Sequence, residues 1–148
     1  MEPLPTGSDA PPIEGIDLSG PRLVWFYKVT CPVCQLAAPV AQRLHDAYPE
    51  AVIGIGQDPV DALRAFSARF GVAFPSIVDA SPYPASTAYG VRVVPTLFLV
   101  DGGTVLDVVE SWDRDGYNRV SHGFAELVGA DASTVSTPED GLPSFRPG

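Results

Sequence analysis

The sequence is poor in the side chains that bind metals or cross-link small secreted domains. Its 148 residues include two cysteines and two histidines, too few for a framework of several disulfides. A structural zinc site needs about four ligands, and besides Cys31 and Cys34 only His45 and His122 are available. We place His45 on a helix face away from the cysteines and His122 in the last predicted helix. We therefore expect no metal.

Positive charge and long apolar runs are also scarce. Nine Lys and Arg against 18 Asp and Glu give a net charge of −9, which argues against nucleic acids and anionic membrane surfaces as partners. No apolar run approaches the length needed to cross a bilayer. Residues 1–20 lack both a cationic start and an apolar stretch, so they are not an intact signal peptide. We expect a cytoplasmic protein, or an exported one from which a signal or anchor was removed.

In other respects the composition is that of one globular domain. Residues 1–20 and 131–148 are rich in Pro, Gly and Asp, which predicts a flexible N-terminal segment and a flexible C-terminal tail. The folded body should lie at residues 21–130, and a body of this size can bury a core without cross-links. We expect a monomer.

Apolar runs and helical spacings alternate through this body and predict the order β-α-β-α-β-α-β-β-α. Strands joined through helices should be parallel, and the late hairpin antiparallel, which makes an α/β fold with a mixed central sheet and helices on both faces. The predicted strands cover 22–27, 51–56, 76–79, 96–100 and 104–110, and the predicted helices cover 32–48, 59–70, 85–90 and 114–128.

Several residues mark where the predicted helices begin and end. Pro32 stands where the first helical residue should be. Asp58 is predicted to cap the helix that opens at Pro59, and Gly71 to end it. Asp113 can cap the last helix, which Gly129 should close.

The two cysteines lie one helical turn apart at the start of the first predicted helix. Unpaired N–H groups and the helix dipole there favour an anion, so the pKa of Cys31 should fall below the free value of about 8.5. Cys34 faces the same side, within reach of a disulfide. Cys31 could then attack a partner's disulfide, and Cys34 could resolve the mixed disulfide. The alternative is two buried structural thiols; covalent haem attachment would need His where Gln35 stands.

Three spaced features resemble the thioredoxin superfamily over residues 21–128. These are the C-x-x-C of "WFYKVTCPVCQLAAP", the helix proline Pro39 that follows it, and the Val-Pro-Thr before the "DGG" hairpin. More residues separate Cys31 from Pro95 than in minimal thioredoxins, and the intervening "FP…VD…A…YGV…VPT" resembles the TlpA-type and AhpC/TSA-type branch. The resemblance implies the thioredoxin-like three-layer fold.

The resemblance also implies a site and an activity. The proline matching Pro95 is cis in that family and packs against the cysteine pair, and the backbone matching Val94 pairs with the incoming peptide. Candidate substrate-binding residues are therefore Val94, Pro95 and Pro32. We expect a thiol-disulfide oxidoreductase that exchanges a dithiol or disulfide with protein partners and needs no cofactor.

The chain departs from the family at one position. Thioredoxins carry a buried Asp, which helps to move protons for the second thiol, where this chain has Trp25. Asp58 is the nearest carboxylate candidate for that role, and Lys28 could stabilise the Cys31 thiolate. Each has a plainer interpretation: Asp58 as a helix cap, and Lys28 as a solvated charge at a strand end.

Two other functions compete with disulfide exchange. A peroxiredoxin-like peroxidase would place its peroxidatic cysteine near Cys34, but Cys31 stands where those enzymes have the threonine that orients peroxide. A non-catalytic thioredoxin-fold binding module would leave both cysteines unreactive. Whether the protein reduces or oxidises its partners depends on its reduction potential.

Overall fold

A five-stranded mixed sheet forms the centre of the protein, as seen in a computed structural model that describes residues 2–148. The strands are arranged in the order β3-β2-β1-β4-β5. The pairs β1–β2 and β2–β3 are parallel, whereas β4 is antiparallel to both β1 and β5. This confirms the predicted sheet. The strands are β1 (Arg22–Tyr27), β2 (Val52–Gly56), β3 (Ser76–Val78), β4 (Thr96–Asp101) and β5 (Thr104–Glu110).

Four helices pack on the two faces of the sheet. They are α1 (Pro32–Ala47), α2 (Val60–Phe70), α3 (Pro84–Ala88) and α4 (Arg114–Val128). The helices α1, α2 and α4 contribute to one buried cluster, while the other face is covered by residues around α3 and by the N-terminal segment. Within residues 2–148, no helix is long and apolar enough to cross a bilayer.

Strand β1 supplies side chains to both clusters because successive residues of a strand point to opposite faces. Trp25 and Tyr27 stack on one face with their rings 4.7 Å apart. Phe26, on the other face, lies 5.4 Å from the ring of Tyr89 and 5.6 Å from that of Phe98. All five side chains are fully buried. The apolar run that predicted a doubly buried central strand is confirmed.

The predicted ends of the helices are largely confirmed. Pro32 is the first residue of α1. The helices α2 and α4 end at Gly71 and Gly129, which adopt left-handed backbone conformations with φ of 70° and 69°. Such a conformation is the usual reason for glycine at the end of a helix.

The prediction that Asp58 caps α2 is wrong. The helix begins one residue later than expected, so the cap position falls on Pro59, and no side chain bonds the first turn. The Asp58 carboxylate instead accepts a hydrogen bond from the backbone N–H of Val29, at 2.8 Å. Asp113 does occupy the cap position of α4, but its side chain makes no cap hydrogen bond.

Two short strands escaped the sequence analysis. Strand β6 (Trp112–Asp113) pairs antiparallel with β7 (Phe145–Arg146) in a separate two-stranded sheet. Two residues are too few for an alternating pattern to be visible in the sequence.

The N-terminal segment lies along the free edge of β5. The Gly7 N–H donates to the Val105 carbonyl at 2.7 Å, the Val105 N–H to the Ser8 carbonyl at 2.9 Å, and the Ala10 N–H to the Gly103 carbonyl at 2.8 Å. Composition alone gave no sign of these contacts. The flexibility of residues 1–20 in solution stays a prediction.

The C-terminal tail is attached to α1 and α4. The Arg114 guanidinium donates to the Ser136 hydroxyl at 3.1 Å and to the Leu142 carbonyl at 2.8 Å. Arg43, on α1, donates to the Val135 carbonyl at 2.9 Å. Residues 135–142 therefore have polar anchors, although they were predicted as a flexible tail.

Candidate active site

The two cysteines lie at the start of α1, both as free thiols. Cys31 occupies the cap position, and its sulfur accepts the backbone N–H of Cys34 at 3.2 Å. Cys31 is half-buried, whereas Cys34 is fully buried. One sulfur is therefore open to a partner while the other lies beneath it.

The surroundings give the two sulfurs different acidities. A hydrogen bond from the Cys34 side chain, aided by the N–H groups of Cys34 and Val33, outweighs burial and lowers the pKa of Cys31 to about 6. At pH 7 roughly nine-tenths of Cys31 is then thiolate. Burial is the main reason that the pKa of Cys34 is raised, and its hydrogen bond to Cys31 raises it further. Cys34 therefore holds a proton while Cys31 carries the negative charge.

The loop before β4 borders the sulfur of Cys31. The Val94–Pro95 peptide bond is cis, as the family resemblance implied. The carbonyl oxygen of Val94 lies 3.4 Å from the Cys31 sulfur. Two hydrogen bonds hold the loop: the Thr96 hydroxyl donates to the Val93 carbonyl at 2.7 Å, and the Ser111 N–H to the Pro95 carbonyl at 2.8 Å.

A cleft of about 310 Å³ opens beside the cysteine pair. It is lined by Cys31, Gln57, residues 91–94 and Gly148. Val94, directly before Pro95, therefore lies both at the Cys31 sulfur and in the wall of this cleft. Pro32 is exposed directly after Cys31.

Lys28 is the first residue of the loop that leads into α1, and the Asp58 carboxylate bonds the next residue of that loop, Val29. The carbonyl of Lys28 accepts the N–H of Cys31 at 3.2 Å. The lowered pKa of Cys31 arises from Cys34 and nearby N–H groups rather than from the Lys28 charge. The negative charge of Asp58 is one of the smaller causes that raise the pKa of Cys34, so this carboxylate acts on the second thiol.

The position of the missing family carboxylate holds a polar contact of another kind. The Trp25 ring N–H donates to the Tyr117 hydroxyl at 2.9 Å, with both side chains fully buried. Burial is the main reason that the pKa of Tyr117 is raised. Sequence reasoning missed Tyr117, Gln57 and Gly148, because only the tertiary fold brings them near the cysteines.

A family profile gives the first comparison with known proteins. The profile of the AhpC/TSA family matches residues 7–108. No curated protein matches the chain.

Solved structures give the second comparison. MTB dsbF, solved in mixed oxidized and reduced forms, is 29% identical with a TM-score of 0.63, over 74% of this chain and 82% of that chain. A secreted Mycobacterium tuberculosis disulfide oxidoreductase homologous to E. coli DsbE is 26% identical with a TM-score of 0.54, over 62% and 69%. The thioredoxin domain of a Bacteroides vulgatus thiol-disulfide oxidoreductase shares the fold at 22% identity, with a TM-score of 0.67 over 79% and 96%.

Proposed function

This chain belongs to the AhpC/TSA family and is a thiol-disulfide oxidoreductase, and we propose that Cys31 is its nucleophile and Cys34 its resolving thiol. The observation that carries the proposal is the contrast between the two sulfurs. Cys31 is half-exposed with a pKa of about 6, whereas Cys34 is buried with a raised pKa. A thiolate is the attacking species in disulfide exchange.

The reaction follows from this arrangement. The Cys31 thiolate attacks one sulfur of the partner's disulfide, the partner's S–S bond breaks, and its other sulfur leaves and takes up a proton. Cys34 then loses its proton and attacks the Cys31 sulfur of the mixed disulfide. The partner leaves as a dithiol, the chain keeps a Cys31–Cys34 disulfide, and two electrons have passed to the partner. The same steps in reverse oxidise a dithiol.

The proton on Cys34 needs an acceptor at the second step. Once Cys31 is in a mixed disulfide, its negative charge no longer opposes ionisation of Cys34, which removes part of the raised pKa. We propose Asp58 as the group that accepts the proton, because its charge acts on Cys34. Support of the Cys31 thiolate by the Lys28 charge stays a hypothesis.

Three residues are proposed to bind the partner's peptide. The Val94 carbonyl lies 3.4 Å from the Cys31 sulfur, so a peptide paired with that backbone would present its own sulfur to Cys31. The Pro95 carbonyl accepts the Ser111 N–H, and Pro32 is exposed beside Cys31. The partner would be a protein with an accessible disulfide or dithiol.

The buried second cysteine also separates exchange from the peroxidase alternative. Peroxide chemistry at Cys34 would need an accessible thiolate there, but Cys34 is fully buried and its pKa is raised. The geometry therefore supports exchange through Cys31.

The proposal also covers the direction of electron transfer and the cellular compartment. Stabilising the Cys31 thiolate favours the reduced form, which moves the pair toward oxidising its partners relative to a pair with ordinary thiols. One similar protein of known structure is secreted. We propose that this chain also works outside the cytoplasm, where disulfides persist.

Reduction of a model protein disulfide tests the proposal, with dithiothreitol as electron donor. We expect wild type to be active and Cys31→Ser to be inactive. Cys34→Ser should accumulate the mixed disulfide, which mass spectrometry would detect. Equal activity of wild type and Cys31→Ser would end the proposal.

A further inference from the structure

The carbonyl oxygen of Val94 lies between the reactive sulfur and the tail of the same chain. The Cys31 sulfur is 3.4 Å away. On another side lies Gly148, where a Cβ would overlap this oxygen. The Gly148 N–H donates to the Ser111 hydroxyl at 2.9 Å. The backbone of Gly148 thus covers one side of the Val94 peptide and lines the cleft beside Cys31.

Residues 145–148, which we call the strap, reach this position along a defined path. The pairing of β7 with β6 brings the chain back toward Ser111. Just before the strap, the Trp112 ring N–H donates to the Pro143 carbonyl at 2.7 Å, and the Arg114 N–H to the Ser144 carbonyl at 3.0 Å. The course of the strap is therefore set by its own pairing with β6 and by the two contacts just before it.

The strap is held by its two-residue pairing with β6 and by the Gly148–Ser111 hydrogen bond, without guanidinium contacts, in the described part of the chain, of the kind that anchor the tail before it. All four of its residues are exposed, and Phe145 has 53% of its surface in solvent. Residues 135–142, in contrast, are bound by Arg43 and Arg114. The strap can leave the cleft at a small cost in buried surface, while the rest of the tail stays in place.

The proposed docking of a peptide needs the place that the strap occupies. A peptide that adds to a backbone edge bonds free N–H and C=O groups. Within residues 2–148, Val94 makes no hydrogen bond to another backbone group, and its carbonyl oxygen has the Cys31 sulfur as a hydrogen-bond partner at 3.4 Å. Gly148, however, lies against its carbonyl.

We propose that the strap occupies part of the partner's peptide site, so that a partner must displace residues 145–148 to pair with Val94. This inference rests on the proposed function, and it adds an intramolecular competitor to the site. A site that is open in only a fraction of molecules binds with an affinity reduced by that fraction.

Two variants remove the competitor in different ways. Deletion of residues 145–148 takes the strap away. Gly148→Val keeps it but places a side chain against the Val94 carbonyl, which should push the strap out. Gly20→Val is the matched control, since a Cβ at Gly20 meets nothing within 4 Å.

The measurements are KM and kcat for a protein disulfide, and the rate at which iodoacetamide alkylates Cys31. We expect both strap variants to lower KM by about threefold to tenfold, with kcat unchanged. Alkylation by the small reagent should stay within about twofold of wild type, because it needs no peptide pairing. The control should match wild type in all three measurements.

The outcomes separate this inference from the proposed function. An unchanged or higher KM in strap variants that still exchange disulfides would overturn the inference and leave the function standing. Loss of exchange in every protein, wild type included, would overturn the function. Thermal melting checks that the variants fold.

Hydrogen exchange provides a second readout. In Cys34→Ser, the Trp112–Asp113 amides should lose protection when a partner is trapped on Cys31. Retained protection would contradict the inference.

Discussion

At the level of single residues, hydrogen bonds dominate the surroundings of the Cys31 sulfur, whereas burial dominates those of the Cys34 sulfur. Cys31 lies at the cap position, where its neighbours' N–H groups point at it. Cys34 lies one turn inside the core, where burial opposes a charge. The same chemical group thereby has two different acidities within four residues.

The lowered pKa of Cys31 predicts a pH profile. Its alkylation by iodoacetamide should have a midpoint near pH 6, instead of about 8.5 for a free thiol. Above the midpoint the rate should level off, and below it the rate should fall about tenfold per pH unit as the thiolate is protonated. Alkylation followed by mass spectrometry, from pH 4 to 9, measures the midpoint.

Variants at Cys34 provide the control for this profile. Cys34→Ala removes the largest cause of the shift, so the midpoint should rise; Cys34→Ser keeps a hydroxyl donor and should raise it less. A midpoint near pH 8.5 in the wild-type protein would contradict a lowered pKa for Cys31.

The lowered pKa of Cys31 was predictable because its causes, the neighbouring Cys34 thiol and the N–H groups of a helix start, are local in sequence. The pair of Trp25 and Tyr117 was not, because α4 must first pack on β1 to bring the two rings together. The role expected of Asp58 changed for a similar reason. Its carboxylate bonds Val29, on the loop after β1, instead of the neighbouring helix.

At the level of elements, apolar periodicity located every long strand and helix. The predicted and observed bounds of β1 agree because an unbroken apolar run marks where the strand lies. The pattern could not show β6 and β7, whose two residues each depend on the tail folding back over Trp112. Elements formed by distant pairing leave little local signal.

The two glycines of α4 should respond to alanine in opposite ways. A Cβ at Gly123 would make an ordinary contact with Leu99, at 3.4 Å, so Gly123→Ala should stabilise the protein by about 0.5–1 kcal/mol through helix propensity. A Cβ at Gly116 would lie 2.7 Å from a methyl group of Val109. Gly116→Ala should therefore destabilise it by about 1–2 kcal/mol through overpacking.

Urea unfolding of both variants measures these changes, and each serves as the control for the other because both lie in one helix. If both substitutions changed the free energy of unfolding in the same direction, the packing of α4 against β5 would not decide their effects.

At the level of the whole molecule, the tail joins helices that are distant in sequence. Asp140 lies 3.3 Å from Arg43 of α1 and 3.5 Å from Arg114 of α4. Burial alone would raise the pKa of Asp140, but hydrogen bonds from Ser136, Leu142 and Arg43 lower it to about 2. The carboxylate is therefore charged at any working pH, with a cation on each side.

Removing one of these cations tests the attachment of the tail. Arg114→Met takes away the bonds to Ser136, Asp140 and Leu142 from a largely buried position. We expect a loss of about 2–3 kcal/mol, or a fall of roughly 5–10 °C in Tm. Differential scanning calorimetry measures it.

Arg64→Met is the matched control, because Arg64 pairs with Asp61 on the surface with most of both side chains exposed. It should change stability by less than about 0.5 kcal/mol. Equal effects of the two substitutions would mean that the tail does not depend on Arg114.

The hydrogen bonds of residues 7–10 along β5 have a consequence for solubility. An unpaired edge strand exposes N–H and C=O groups that can pair with another chain. Here residues 7–10 of the protein itself occupy the edge of β5. A fragment begun at residue 21, where composition sets the limit of the domain, would keep both cysteines yet leave this strand uncovered. Copies of such a fragment would pair through these exposed edge strands and aggregate. Turbidity would appear before any loss of thiol-disulfide exchange activity.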